Sequence, residues 1–258
     1  MTRRSADAAG ARTASREELA ALLDSSELDI LLAAIENPLL TEKTLCEFLE
    51  RKDLPAEIVA QITKNKEWMK SYPVRLRLAR HPRTPRLATL GLLRQLFLFD
   101  LVGVSLLPSV PAEMRRLAED LILNRLQQLP LGQKLTLARR GPTRVAAALA
   151  AEGLPQVLPL ALDNAFLNEG QLLKMLAKGD LPPRVVAAIA NHRKWSYNAN
   201  VRIALVRNPL TPLARVMTFL PDIPLHHLRD LSKVPTLRAD LKKYLEHEVD
   251  RRLGRKPR

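Results

Sequence analysis

Two stretches of the sequence, 127 positions apart, decide the fold. Residues 36–87 read ENPLLTEKTLCEFLERKDLPAEIVAQITKNKEWMKSYPVRLRLARHPRTPRL, and residues 163–214 read DNAFLNEGQLLKMLAKGDLPPRVVAAIANHRKWSYNANVRIALVRNPLTPLA. The two align without gaps, and 19 of the 52 aligned positions are identical. Self-similarity at a fixed spacing is typical of repeat architectures, so the sequence predicts an internal duplication.

Each stretch divides into short helices. Apolar residues recur at helical spacing, as at Ile58, Val59 and Ile62, and prolines follow the positions where one helix would end. Thr84 and Thr211 each precede a proline, which predicts an N-cap with proline at the first helical position. An alternating strand pattern of useful length does not occur, so we expect an all-α chain of helical hairpins.

Composition agrees with short helices that end at prolines. Aromatic residues make up only 4% of the 258 residues, with 9 Gly and 19 Pro, and this mix disfavours an all-β sandwich. Cys46 is the single cysteine, which excludes an internal disulfide and a cysteine-ligated metal or iron–sulfur site. The sequence contains no apolar run of membrane-spanning length and no secretory signal, so we expect a cytoplasmic protein without a membrane partner.

The predicted architecture is a right-handed superhelical α-solenoid of stacked helical hairpins, because such hairpins cannot bury their apolar faces alone. We expect basic disordered tails at 1–16 and 251–258, which carry net charges of +3 and +5. We predict a single repeat domain at 17–250. It consists of copy one at about 30–122, an intervening unit at about 123–156 and copy two at about 157–246.

The stretches LARHPRTPRLATLGLL (78–93) and LVRNPLTPLARVMTFL (205–220) share the pattern xLAxxPxTPxxxLxxL. This pattern resembles the variant leucine-rich repeats of bacteria and, more broadly, HEAT and armadillo helical repeats. The resemblance implies an α-solenoid and, by analogy, a binding scaffold. Some variant leucine-rich repeat proteins carry an iron–sulfur cluster on a cysteine-rich segment, but Cys46 stands alone here, so we expect no cofactor.

The formal net charge of +14 is unevenly distributed. Residues 17–60 carry −8, and the basic block at 61–94 carries +8, a combination that indicates either a balanced, solvated surface or an attraction for polyanions. The candidate macromolecule-binding residues are those of this block and their counterparts 127 positions later: Trp68, Arg75, Arg77, Arg80, His81, Arg83, Arg86, Trp195, Arg202 and Arg207.

Trp68 and Trp195 are the only tryptophans and occupy matched positions. Beside Arg75 and Arg202, they could stack on bases while the guanidinium groups contact phosphates. Alternatively, each could fill a helix–helix junction with its indole N–H on a loop carbonyl, and this structural role is favoured.

Catalytic motifs are absent, and isolated residues have simpler structural explanations. We expect Cys46 in the core, Asp53 and Asp180 as helix caps, and Asn37 and Asn164 at helix ends. None of the histidines has a partner at metal-ligating spacing. We therefore expect all of them on the surface: His81, His192, His226, His227 and His247.

These observations favour a non-enzymatic scaffold that binds a protein. A nucleic-acid-binding solenoid is the alternative, supported by the isoelectric point of about 10.4 and the basic block. A third hypothesis is a DNA glycosylase of the kind built from HEAT-like repeats. It requires Trp68 or Trp195 in a positive groove with an unpaired carboxylate at its floor.

Overall fold

The computed structural model describes residues 8–235 and 237–254, which form α-helices and short 3₁₀ turns without any strand. The predicted all-α class is therefore confirmed over this part of the chain. The chain divides into two compact units, unit 1 (Met1–Asn124) and unit 2 (Arg125–Arg258).

Nine described helices begin in each unit. Those that begin in unit 1 are α1 (Ala8–Thr13), α2 (Arg16–Leu22), α3 (Leu28–Ile35), α4 (Glu42–Phe48), α5 (Ala56–Lys64), α6 (Tyr72–Arg80), α7 (Arg86–Arg94), α8 (Leu98–Leu106) and α9 (Ala112–Arg125). Those of unit 2 are α10 (Leu131–Arg140), α11 (Thr143–Glu152), α12 (Leu158–Leu162), α13 (Glu169–Leu176), α14 (Pro183–Asn191), α15 (Ala199–Arg207), α16 (Leu213–Phe219), α17 (Leu225–Ser232) and α18 (Ala239–Arg252).

The helices of the two units correspond in order at the spacing of 127 positions. Three pairs, α5 with α14, α6 with α15 and α9 with α18, have identical bounds after this shift. The 3₁₀ turns Trp68–Lys70 and Trp195–Tyr197 also coincide. The correspondence runs from α1 to α9, well beyond the stretch in which the amino acids are similar.

Packing within each unit is local along the chain. The most extensive contacts all join helices that are one or two places apart, such as α1 with α3, α4 with α6, α11 with α13 and α13 with α15. Leucine, isoleucine, valine and alanine dominate the buried surface. Each helix thus buries its apolar stripe mainly against its near neighbours in sequence.

Matched asparagines connect successive helices in the two units. The Asn37 side-chain amide donates to the carbonyls of Ala11 and Ala14 at 2.9 and 3.1 Å, and its Oδ1 accepts from the Leu39 N–H. The Asn164 amide donates to the carbonyls of Ala138 and Gly141, and its Oδ1 accepts from the Phe166 N–H. All these partners are also 127 positions apart, and the predicted role of both asparagines at helix ends is confirmed.

Thr84 and Thr211 close the helix before them, which corrects the N-cap prediction. The Thr84 hydroxyl donates to the Leu78 carbonyl at 2.6 Å, and the Thr211 hydroxyl donates to the Leu205 carbonyl at 2.5 Å. The N-caps of α7 and α16 are the prolines that follow, Pro85 and Pro212. Each threonine therefore adds a hydrogen bond to a carbonyl in the last turn of a helix, which also accepts from the N–H of the C-cap residue.

Asp53 and Asp180 are not helix caps either. Asp53 is exposed and pairs with the Arg51 guanidinium at 2.9 Å, while Pro55 is the N-cap of α5. At the matched place, Pro182 is the N-cap of α14. The proline's own backbone begins each helix, so no carboxylate is needed there.

Part of each predicted tail lies in a helix. Residues 8–13 form α1, which packs on α3 and buries Ala11 against Ile30 and Ala33, and the carbonyls of Ala11 and Ala14 accept hydrogen bonds from Asn37. At the other end, Arg252 lies in α18 and donates to the carbonyls of Leu220 and Ile223. The remaining tail residues, 1–7 and 255–258, lie outside the described residues.

Candidate functional site

Four arginines of the basic block bind side chains within unit 1. Arg75 donates to the Gln95 side-chain oxygen at 2.5 Å, Arg80 pairs with Asp100 at 3.2 Å, and Arg86 pairs with Glu113 at 2.5 Å. Arg77 forms an ion pair with Glu50. Three of these arginines are therefore neutralised by carboxylates that lie outside the block, those of Glu50, Asp100 and Glu113.

His81 is buried, which corrects the expectation of a surface histidine. Its Nδ1 accepts from the Arg83 N–H at 3.2 Å, so the neutral ring carries its proton on Nε2, which donates to the Arg51 carbonyl at 2.8 Å. Burial is the main cause that lowers the pKa of His81. His81 is consequently a neutral structural link and is 2% exposed, with no surface for a ligand.

Asn208 occupies the position matched to His81 and makes the same kind of contacts. Its Oδ1 accepts from the Leu210 N–H at 3.0 Å, and its Nδ2 donates to the Leu176 carbonyl at 3.5 Å. A histidine and an asparagine can replace each other here because each presents one acceptor and one donor.

Arg202 repeats the structural role of Arg75. Its Nη1 pairs at 2.7 Å with Asp222, the counterpart of Gln95, and its Nε donates to the Ser196 carbonyl at 2.6 Å. With the side chain only 14% exposed, Arg202 holds α15 to the turn after α16 and is not displayed for a ligand.

The two tryptophans have different environments. Trp195 is 3% exposed and its indole N–H donates to the Leu162 carbonyl at 2.9 Å, which agrees with the structural role favoured by the sequence. Trp68 is half-buried and has no such bond among the described residues. It lines an open groove of about 610 Å³ together with Asn37 and Lys64, whereas a smaller depression of about 360 Å³ remains beside Leu162.

A second groove, which we call the unit 2 groove, lies between α13, α15 and α17 and has a volume of about 550 Å³. Its lining residues are Leu173, Leu176, Ala177, Gly179, Asn200, Ile203, Ala204, Arg207, Asn208, Pro209 and His227. Leucine and isoleucine side chains supply apolar wall, and Arg207 and His227 supply the positive or titratable groups. Over the residues that the structure describes, Arg207 is exposed and forms no ion pair.

The matched positions of unit 1 are filled by paired side chains. Glu50 and Arg77 form an ion pair where unit 2 has Ala177 and Ala204. Asp100, where unit 2 has His227, accepts from Arg80 at 3.2 Å. Asp100 also accepts from the Tyr72 hydroxyl, at 2.5 Å. A cluster of carboxylates and guanidinium groups thus occupies in unit 1 what stays open in unit 2.

Of the ten candidate residues, three keep an accessible side chain that is not engaged by another described side chain: Trp68, Arg83 and Arg207. Arg207 lies in the unit 2 groove, and Trp68 lines the unit 1 groove, which also contains Ile35, Leu40 and Ile62. The sequence analysis did not identify His227 as a groove residue, although His227 occupies the position matched to Asp100 at the spacing of 127. That change from a carboxylate to an imidazole was the available clue.

The described residues contain no cluster of three or more histidine, cysteine or acidic side chains that could hold a metal ion. Cys46 is buried in α4, as predicted, and burial raises the pKa of its thiol. No helix in the described part of the chain has the length and apolar character needed to cross a membrane. No known family model matches the sequence, and neither a curated protein nor a solved structure is significantly similar to it.

Proposed function

We propose that the chain is a non-enzymatic scaffold of duplicated helical repeats that binds another protein. The corresponding helix bounds of the two units and the shared asparagine hydrogen bonds support an internal duplication. Contacts restricted to near neighbours are those expected of stacked repeats and support a solenoid.

The observation that carries a protein partner is the unit 2 groove. The groove combines apolar side chains with one exposed arginine. The centres of protein interfaces are typically rich in apolar and arginine side chains. Because the groove has a volume of about 550 Å³ and its lining includes no acidic side chain, it is suited to a protruding segment of a partner.

Nucleic-acid binding is the second candidate, favoured by the net charge of +14 and by exposed Arg83 and half-buried Trp68. It ranks below protein binding because four arginines of the basic block already bind side chains of unit 1. Exposed ion pairs are weak, however, so phosphates could compete for these arginines.

The glycosylase hypothesis receives no support from the groove beside Trp68. Its two acidic lining residues are ion-paired, Glu36 with Arg12 and Glu67 with Lys70. A glycosylase needs a carboxylate that is free to act on the substrate, and Trp195 is buried away from solvent.

Affinity capture from the source cells, followed by reconstitution with the purified partner, tests the proposed function. We expect a direct complex that persists after nuclease treatment. Anisotropy titrations with labelled single- and double-stranded DNA and RNA over a range of salt concentrations are the counter-experiment. Tight binding with a steep salt dependence, together with loss of the protein complex after nuclease treatment, would replace protein binding by the nucleic-acid alternative.

A further inference from the structure

We propose that the unit 2 groove binds an acidic, partly apolar peptide segment of the protein partner, with a carboxylate of that segment on Arg207. This inference rests on the proposed protein-binding function and specifies its site and the chemistry of its ligand.

Unit 1 supplies the first step, because it contains its own carboxylate at the matched place. Asp100 from α8 accepts a hydrogen bond from Arg80 at 3.2 Å, and both side chains are about one-third exposed or less. The position of Arg80 at the end of α6 corresponds to that of Arg207 at the end of α15. A carboxylate is thus the group that this arginine position binds when one is available within the chain.

Unit 2 lacks that internal carboxylate. His227 replaces Asp100, and Arg207 is left exposed without an ion pair among the described residues. Ala177 and Ala204 replace the Glu50–Arg77 pair, so the space beside Arg207 is not filled by long side chains. Both changes open the groove and leave its cation free for a group from outside.

The charges around the groove favour an anion. Arg207 and His227 belong to its lining, which includes no acidic residue. The nearby Glu169 is held by the amides of Asn198 and Asn200, at 2.8 and 2.6 Å. Asp230, the counterpart of Gly103, is exposed on α17 outside the lining and makes no ion pair within the described chain. Within the lining itself, a ligand carboxylate would meet one fixed charge, the positive charge of Arg207.

The apolar wall restricts the ligand further. Leu173, Leu176 and Ile203 face the same space as Arg207, so a ligand that carries an apolar side chain beside its carboxylate would bury both. A peptide segment with leucine or phenylalanine next to glutamate or aspartate has this chemistry. A nucleic acid fits less well, because the lining offers one arginine and no tryptophan, tyrosine or phenylalanine for base stacking.

The experiment selects peptides from a random display library on the full chain and measures their affinity as fluorescein-labelled peptides by anisotropy. We expect enrichment of peptides in which an acidic residue neighbours a large apolar residue. Conversion of that acidic residue to its amide is expected to weaken binding about tenfold, as for removal of a central charged contact.

Two histidine variants test the place of binding. His227→Asp restores the carboxylate that unit 1 has and is expected to weaken peptide binding about tenfold or more by occupying Arg207 from within. His247→Asp is the matched control, because it adds the same charge at an exposed histidine of α18 outside the groove lining. It is expected to change the affinity by no more than about twofold.

A second pair of variants covers the case in which His227→Asp does not fold. Arg207→Gln is expected to weaken binding about as much, and Arg83→Gln, which removes an exposed arginine of unit 1, is its control. Circular dichroism establishes that each variant keeps its helices. Equal losses in a variant and its control, or full affinity in both groove variants, would overturn the assignment of the groove.

The outcomes separate this inference from the function on which it rests. Selected peptides that bind equally well to all four variants, or a captured partner without any acidic, apolar peptide selected, would refute the groove while protein binding stands. If neither peptide nor partner protein binds, both proposals fail.

Discussion

Units 1 and 2 share their helix order but differ in which groove each one fills. Unit 2 narrows the groove beside its tryptophan to about 360 Å³, since Trp195 is buried on the Leu162 carbonyl, whereas Trp68 of unit 1 lines an open groove of about 610 Å³. Unit 1 fills the other groove with ion pairs such as Arg80–Asp100, whereas the unit 2 groove stays open around Arg207.

This difference separates the residues that preserve the fold from those that are available for binding. The matched asparagines make the same three hydrogen bonds in both units, as expected for bonds that hold neighbouring helices together. Side chains at the grooves differ between the units instead. Because a groove filled from within cannot accept a partner, we expect these differences to give the two units different binding capacities.

The largest expected effect distinguishes the two tryptophans. Trp195→Ala should lower the free energy of unfolding by about 3–5 kcal/mol, because it removes a large buried side chain and leaves the Leu162 carbonyl without its donor. Trp68→Ala should cost less than about half as much, since the indole is already partly in solvent. Urea unfolding of both variants gives the values, and equal losses would contradict the comparison.

The asparagines should respond alike, in contrast to the tryptophans. Asn37→Ala and Asn164→Ala should each cost about 2–3 kcal/mol, because each leaves two carbonyls and one N–H without side-chain partners. Urea titrations of the two variants provide the measurement. A loss in one unit with none in the other would show that the matched bonds do not carry equal weight.

Exchange of the matched residues His81 and Asn208 sharpens the comparison. His81→Asn should change the free energy of unfolding by less than about 1 kcal/mol, because Asn208 in unit 2 accepts from the matched N–H and donates to a carbonyl two positions from the one matched to Arg51. His81→Leu should cost about 2 kcal/mol more than this, since the Arg51 carbonyl and the Arg83 N–H lose their partners. Thermal and urea unfolding of the two variants provides the measurement. Equal stability of the two variants would contradict this prediction.

The smallest expected effect is a pH dependence that unit 2 lacks at this position. Burial lowers the pKa of His81 below its ordinary 6.5, so the folded protein holds this ring neutral while the unfolded chain takes up a proton. Its contribution to stability is complete above pH 6.5 and declines as the pH falls through the range between 6.5 and the lowered pKa.

Unfolding free energies between pH 7.5 and pH 5 measure this contribution. His192, whose pKa burial also lowers, keeps its share in wild-type and variant protein alike. His81→Asn should therefore lose less stability than the wild type on acidification. An identical decline in both proteins would exclude His81 as a source of the pH dependence.

The sequence predicts the secondary structure more accurately than it predicts which residues are exposed. The repeated Pro-x-Thr-Pro segments locate the helix breaks correctly. Thr84, however, binds the Leu78 carbonyl of the preceding helix, and Pro85 is the N-cap of the next helix. Helical spacing likewise places Cys46 in the core. These features depend on neighbours along the chain, which a sequence pattern records directly.

The candidate site depends on partners distant in sequence, and there prediction is weaker. The basic block carries a net charge of +8 in the sequence, but Glu50, Asp100 and Glu113 from other helices pair with its arginines. Nothing in the sequence indicates that the His81 ring lies 2.8 Å from the Arg51 carbonyl. Alignment of the two copies recovers part of this information.

The most direct measurement transfers the internal ion pair of unit 1 into unit 2. The double variant Ala177→Glu/Ala204→Arg places the Glu50–Arg77 pair in the unit 2 groove without a change in net charge. Its affinity for a selected acidic, apolar peptide should fall about tenfold or more, while Glu50→Ala/Arg77→Ala in unit 1 should leave the affinity unchanged. Unaltered binding by a folded Ala177→Glu/Ala204→Arg protein would contradict the claim that the open groove of unit 2 is the binding site.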